Sequence, residues 1–455
     1  MDGNKPLANR VTRRQLLLGM GAAGLGAALS ACAPATPTQV PSGAQAPAPA
    51  GTQAPAVIKS DGKPKLSMVV RSFFGPDTDA TFKAQAEGWG KNNNVDVTCD
   101  VISMNDIPTK VAAAAEAGAG PDIIHLFDGT PFLYTDKLAD VSDVAASIEK
   151  ESGGFYDLAK QVCVVDGVWR AMPHTGTTHL LVYRSDLFQQ FNLQLPDTWD
   201  QLLEVGKTLR QNKYLVGWPI AHAAGDGNTF MYSILWSYGA KEVQQDGKTL
   251  AIDSPETIKC LQMIKRLYEE AFDPAATSWD DSANNRLVLA GQMALTGNSS
   301  SIYSASFKDA PQLTDKIAHG IYPQGPGGRH LRAETQSFGL FKYCKAQDEA
   351  KALLKYMMSK EQYGKWITAA SGDRVGMTKN MADLEIWKNP KLKPVMDSMA
   401  FAHMNGYPGP VTRTAAESFN NFTLIDMATM VIKGSKPEDA VKWAVDQYKA
   451  MLAKG

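Results

Sequence analysis

Cysteine is scarce in this 455-residue chain, with five in all. Four of them, Cys99, Cys163, Cys260 and Cys344, are far too widely spaced for CxxC or zinc-ribbon patterns. Each lies in an apolar segment, where a reduced, buried thiol is the simplest reading; disulfides are the alternative in an oxidising compartment. An excess of charge is missing too. Forty-six Lys and Arg against 47 Asp and Glu leave a formal net charge of −1. No basic cluster stands out, which excludes a nucleic-acid partner, since neutralising a phosphate backbone needs one. No apolar run reaches the ~20 residues of a membrane-spanning helix. Nucleophile elbow, phosphate-cradling loop and HExxH are all absent. His174 and His179 lack the spacing of a helical metal-binding pair, so no metal or cofactor is expected. A secreted glycoside-acting enzyme would need two carboxylates at a set separation, and it stays only as the less favoured alternative.

What is present begins at the N-terminus. Lys5, Arg10, Arg13 and Arg14 precede an acid-free apolar run, Leu16 to Leu29, broken by glycines and closed by small residues and Cys32. This is the pattern of a signal peptide, expected over 1–31. Thr12-Arg13-Arg14-Gln15-Leu16-Leu17 resembles the twin-arginine export motif, although ordinary export signals also carry paired arginines, so both routes stay open. Leu29-Ser30-Ala31-Cys32 resembles the bacterial lipobox. Small residues there admit the processing peptidase, and the Cys32 thiol takes the lipid; two acyl chains anchor a protein without a spanning helix. Residues 32–62 are then expected to be a lipidated cysteine and a disordered linker. From Ala33 to Ser60 there are six prolines and no aromatic residue, and such a segment cannot bury enough apolar surface to offset its ordering entropy.

Beyond the linker the hydrophobic period alternates. Lys65 to Phe73 reads as a strand, Asp79 to Trp89 as a helix, and Asn94 to Ile102 as a strand with Val95, Val97, Cys99 and Val101 on one face. Asn105 to Ala117 is helical and Ile123 to Phe127 a short strand. This βαβαβ order predicts a largely parallel sheet flanked by helices. Thr198-Trp199-Asp200-Gln201 is a capping box, and Ser254-Pro255-Glu256 another helix start. A folded part this long exceeds what one core usually supports, so two lobes are expected.

Several short strings, in order, resemble the extracellular solute-binding proteins of sugar ABC importers, the maltose-binding type. They are Pro121-Asp122-Ile123-Ile124; Asp166-Gly167-Val168-Trp169-Arg170-Ala171-Met172-Pro173; Leu181-Val182-Tyr183-Arg184-Ser185-Asp186; Leu195-Pro196-Asp197-Thr198-Trp199; Gly291-Gln292-Met293-Ala294; and Gly434-Ser435-Lys436-Pro437-Glu438. Arg184, where an asparagine is usual, and Gly297-Asn298-Ser299-Ser300-Ser301, which lacks an aromatic residue, depart from the pattern. The resemblance implies an α/β, two-lobe periplasmic-binding-protein fold (type II-like) with the ligand cleft between the lobes. Lobe 1 is expected over 63–175 and 317–370, lobe 2 over 176–316 and 371–455, with a first crossing near Pro173 to Leu180. It also implies a monomeric, lipid-anchored extracytoplasmic protein that hands a small ligand to ABC importer membrane subunits by hinge closure.

Sugar recognition needs flat aromatic faces for a pyranose and planar polar groups for its hydroxyls, and open α/β sheets bind ligands beyond the carboxyl ends of their strands. The candidates at such ends and turns are Phe73, Asp128, His174, Thr175, Tyr232, Trp236, Trp279, Asp280, Asn298, Gln336, Arg374 and Tyr407. Tyr232 and Trp236 read equally as core aromatics, Asp128, Asp280 and Arg374 as structural charges, and His174 as a hinge histidine. The mixed aromatic and amide set favours a neutral, hydroxyl-rich ligand. A polyol, polyamine or phosphate ester is the alternative on the same fold.

Overall fold

The computed structural model describes residues 62–75, 77–223 and 225–453. The expectations for export signal and lipobox, and for the linker as far as residue 61, fall outside the described residues.

The predicted βαβαβ unit is present. β1 (Lys65–Arg71), the helix Thr78–Asn92, β2 (Asp96–Ile102), the helix Ile107–Ala117 and β3 (Ile123–Phe127) follow one another. β1 lies between β2 and β3, parallel to both. Val95, Val97 and Cys99 are buried, as the alternation required. Gly118 ends the second helix at φ 60°, a left-handed turn that glycine takes without a Cβ penalty. A small antiparallel hairpin, β4 (Val164–Val165) with β5 (Val168–Trp169), precedes β6 (Met172–Thr178).

After β6 the chain changes sheets at a single residue, His179. β7 (Leu180–Arg184) belongs to a four-stranded sheet completed by β8 (Leu215–Val216), β9 (Met293–Asn298) and β10 (Ile317–Ile321), in the order β10-β7-β9-β8. β11 (Leu331–Leu340) returns to the larger sheet, whose order is β12-β6-β11-β3-β1-β2. β12 is Val375–Gly376, and β13 (Ala402–His403) pairs with the start of β11. The fold is thus α/β with two lobes, each built on one sheet.

The segment boundaries differ from those expected in two places. Residues 317–321 pair antiparallel with β7, filling its free edge, so they stand with the smaller sheet and the return is made only at Leu331. The closing segment is divided: β12 pairs with β6, and Met377, Met381, Met404 and Val411 enter the first core. The helices Arg413–Asn420, Thr423–Ile432 and Pro437–Leu452 pack on the second core. The capping box forms as read, with Thr198 Oγ1 accepting from the Gln201 amide and Gln201 Oε1 accepting from the Thr198 amide. Ser254 caps the helix Pro255–Glu270 through the Thr257 amide. Cys99, Cys163, Cys260 and Cys344 are free and buried, and burial pushes the Cys99 thiol up to about 12.

Candidate functional site

β3 runs out into Asp128, whose φ of 45° turns its side chain back across the end of the sheet. Asp128 accepts from the Thr335 amide at 2.8 Å and from the Thr335 hydroxyl at 3.1 Å, and it pairs with the fully buried Arg332. Arg332 also donates to Asn405 at 2.9 Å and to Thr229 at 2.8 Å. Two residues further along β11, on the same face by strand alternation, Glu334 is 5% exposed. Its Oε1 accepts from Arg374 at 2.9 Å, Gln336 at 2.9 Å and Arg71 at 3.4 Å. Burial alone would raise the Glu334 carboxyl, but Arg374 and Arg71 outweigh it and hold the group down at about 2.

The second lobe meets this cluster with the N-terminus of the helix Asp226–Ser237 and with the chain around residue 280. Asp281 accepts from the Asp226 amide at 2.8 Å and the Gly225 amide at 3.1 Å, so a carboxylate from a distant segment caps the positive helix end. Burial still lifts Asp281 to about 6 against those bonds. Asp226 is raised well above the usual carboxylate range, by burial first and by Asp281 second. Its Oδ2 accepts from Asn284 at 2.6 Å and Asn298 at 3.0 Å. His179, the crossing residue, has Nε2 3.6 Å from Asp226 and 3.9 Å from Glu334. Burial holds its imidazole neutral, down at about 3.

Between the lobes lies a cavity of about 400 Å³. Asp128, Glu334, Asp280 and Asp281 line it as charges, and Phe127, Tyr134, Phe419 and Phe422 as aromatic faces. Phe422 holds φ 56°, uncommon for a bulky residue, and stacks at 4.4 Å on His222, which reaches Asp426 at 2.8 Å. Short hydroxyls tie the lobes beside it. Ser299 donates to Asp373 at 2.6 Å, Ser300 to the Gly372 carbonyl at 2.7 Å and Ser304 to the Ser371 carbonyl at 3.1 Å.

Of the residues singled out in the sequence, Asp128 and Asp280 line the cavity. Asn298, Gln336, Arg374 and Thr175, which donates to Gln336 at 3.0 Å, form the polar network behind it. Phe73 packs edge-on against Trp366 with Arg71 over its ring. His174 stacks on Tyr363 and packs at a tilt against Phe338 and Trp366, Trp279 is buried against Gly217, and Tyr232 and Trp236 belong to the second core. Tyr407 stacks on His403 at 3.7 Å, around a separate pocket. Glu334, Asp226 and Arg71 were not singled out. The visible signal was in β11, where Arg332, Glu334 and Gln336 recur at every second position of a strand buried throughout.

Solved structures share this architecture. A solute-binding protein of Thermotoga lettingae, bound with alpha-D-tagatose, superposes with a TM-score of 0.75 at 17% identity, covering 86% of this chain and 100% of its own. MalE3 of T. maritima, bound with maltose, gives 0.72 at 22% identity over 85% and 99%. A sugar transporter protein of Arthrobacter chlorophenolicus with laminaribiose gives 0.75 at 16% over 85% and 99%. At these identities the likeness speaks for the fold. YcjN of Escherichia coli K12, named as an ABC transporter periplasmic-binding protein, is 28% identical over 166 residues, 35% of this chain; the match spans only 38% of that relative's length. The profile of the bacterial extracellular solute-binding protein family matches residues 75–364, more than half of the sequence, and the chain belongs to that family.

Proposed function

We propose that this protein captures a sugar outside the cytoplasm and delivers it to the membrane subunits of an ABC importer. The observation that carries the reading is the cavity itself. Its walls come from both lobes and combine aromatic faces with carboxylate acceptors, the pairing a pyranose requires. The tagatose, maltose and laminaribiose in the similar structures, and the importer named for the E. coli relative, support it. Asp128 and Asp280 contact the ligand, while Thr175, Asn298, Gln336 and Arg374 hold the groups that do. A phosphate ester is disfavoured, because no Lys or Arg lines the cavity among the described residues. The lobes close about His179 and about the segment between Ile321 and Leu331. A lipid on Cys32 and the linker behind it keep the protein at the membrane as a monomer. A thermal-shift panel of sugars, polyols, polyamines and sugar phosphates tests the ligand class, since a native-state ligand at ~100 times its dissociation constant adds ~2.7 kcal/mol. Stabilisation by sugars is expected; a panel in which only sugar phosphates raise the melting temperature defeats the reading. Cys32→Ala should move the protein from membrane to soluble fractions, and unmodified Cys32 in membrane-bound native protein would refute the anchor.

A further inference from the structure

The charged lining of the cavity has one sign. Asp128, Asp280, Asp281 and Glu334 face it, and among the described residues no lysine or arginine does. The arginines that balance these carboxylates stand behind them. Arg332 sits on Asp128, and Arg71 and Arg374 both approach Glu334 through Oε1. The other oxygen, Glu334 Oε2, accepts no hydrogen bond from the described residues; His179 Nε2 stands 3.9 Å from it, an imidazole that burial keeps neutral. Glu334 lines the cavity, so a ligand donor can reach the oxygen that the described residues leave without one.

A second geometric fact brings a carboxylate of the other lobe close to this oxygen. A Cβ placed on Gly225 would lie 3.3 Å from Glu334 Oε2 and 3.4 Å from Asp281 Oδ1. Both oxygens, one from each lobe, therefore lie beside the bare face of Gly225 at the cavity edge, where a side chain on residue 225 would crowd them. A hydroxyl brings one donor to such a place, whereas an ammonium brings three together with a positive charge. Aromatic faces nearby suit a cation as well as a sugar ring.

Resting on the sugar-capture reading above, we infer that the ligand is an amino sugar whose protonated amine is seated between Glu334 and Asp281. This adds a charge to the neutral ligand expected from the sequence. Because the two carboxylates come from different lobes, the amine bridges them and favours the closed form through contacts that the open form lacks.

Isothermal titration of the full-length protein at pH 7 against matched triplets tests this. Each triplet holds an amino sugar, its N-acetyl derivative and its hydroxyl counterpart, as monosaccharides and as β-linked disaccharides. The amine is expected to bind on the order of tenfold more tightly than either uncharged form, the difference between a charge-assisted and a neutral hydrogen bond. Asp281→Asn, which keeps an oxygen for the helix amides, is expected to narrow that gap. Amino sugars binding no better than both uncharged forms would overturn the inference and leave sugar capture standing. Binding of putrescine or spermidine with no sugar binding would keep the amine seat and overturn sugar capture. Failure of every compound to bind would overturn both. If Asp281→Asn does not fold, the wild-type triplets decide alone.

Discussion

Gly297→Ala is the most demanding test of the packing beside the site. Gly297 lies in β9, and a Cβ there would stand 1.6 Å from Trp218 Nε1 and 1.9 Å from the Tyr322 hydroxyl. Neither group can step aside at low cost. Both side chains are fully buried, and Trp218 Nε1 donates to that hydroxyl at 2.6 Å. Forcing a methyl group into a packed core costs about 1–3 kcal/mol, and stranding a buried donor about 1–3 kcal/mol more. A loss of about 2–6 kcal/mol is therefore expected, a large fraction of the stability of an ordinary domain. The Gly297 carbonyl also accepts from Asn284 at 3.1 Å, and Asn284 holds Asp226, so ligand affinity should fall with stability. Guanidinium unfolding followed by tryptophan emission measures the first effect and calorimetry the second. Gly88→Ala is the internal control. It lies in the helix Thr78–Asn92 with nothing within 4 Å of the added carbon, and should stabilise by about 0.5–1 kcal/mol. Unchanged unfolding of Gly297→Ala would mean that the Trp218–Tyr322 packing is not as described.

Glu242 is buried, and its Oε1 accepts from Tyr232 at 3.2 Å, from Ser418 at 3.1 Å and from Tyr448. Burial pushes its carboxyl up to about 7, although those hydroxyls work the other way. The folded value lies above the unfolded one near 4.5, so this contribution is fully present below pH 4.5 and lost as pH rises through about 7. Glu242→Gln should flatten the decline in melting temperature between pH 5 and about 8; an unaltered slope would refute the assignment. His174 runs in the opposite direction: burial holds it down at about 3, so its share of stability falls as pH drops from about 6.5 toward 3. His174→Phe, inside an aromatic cluster, should reduce acid sensitivity over that interval, as melting curves at pH 4 and 7 will show. Cys99, Cys163, Cys260 and Cys344 should resist a thiol reagent in the native protein and all react after unfolding; a missing thiol in the denatured count would indicate a disulfide.

The regular elements were legible where a local signal decides structure. Val95, Val97 and Cys99 alternate as a half-buried strand must, and the Thr198 capping box needs only four consecutive residues. Asp128 was legible because it follows a strand end. His174 was not: it stands in a strand buried along its whole length, where alternation no longer separates core from cleft, and its aromatic neighbours come from Phe338, Tyr363 and Trp366, far away in the chain. The capping role of Asp281 was hidden for a similar reason. Its partners are the amides of Gly225 and Asp226, more than fifty residues earlier, and no local pattern announces a helix capped from such a distance. The boundary at Leu331 depended on β10 finding the free edge of β7, a choice made in tertiary structure.

The serine ties beside the cavity set the energetic scale of its opening. Ser299, Ser300 and Ser304 are short side chains with little rotamer freedom to lose, and two of their acceptors are main-chain carbonyls that water can satisfy equally well. Each such bond is worth about 0.5–1.5 kcal/mol net, so parting the lobes here would exchange weak protein bonds for hydration. A seam of this kind joins the lobes by contacts that are individually weak. Replacing Ser299 by a longer residue with a persistent ion pair to Asp373 would tie the two lobes more firmly here than the present hydroxyl does.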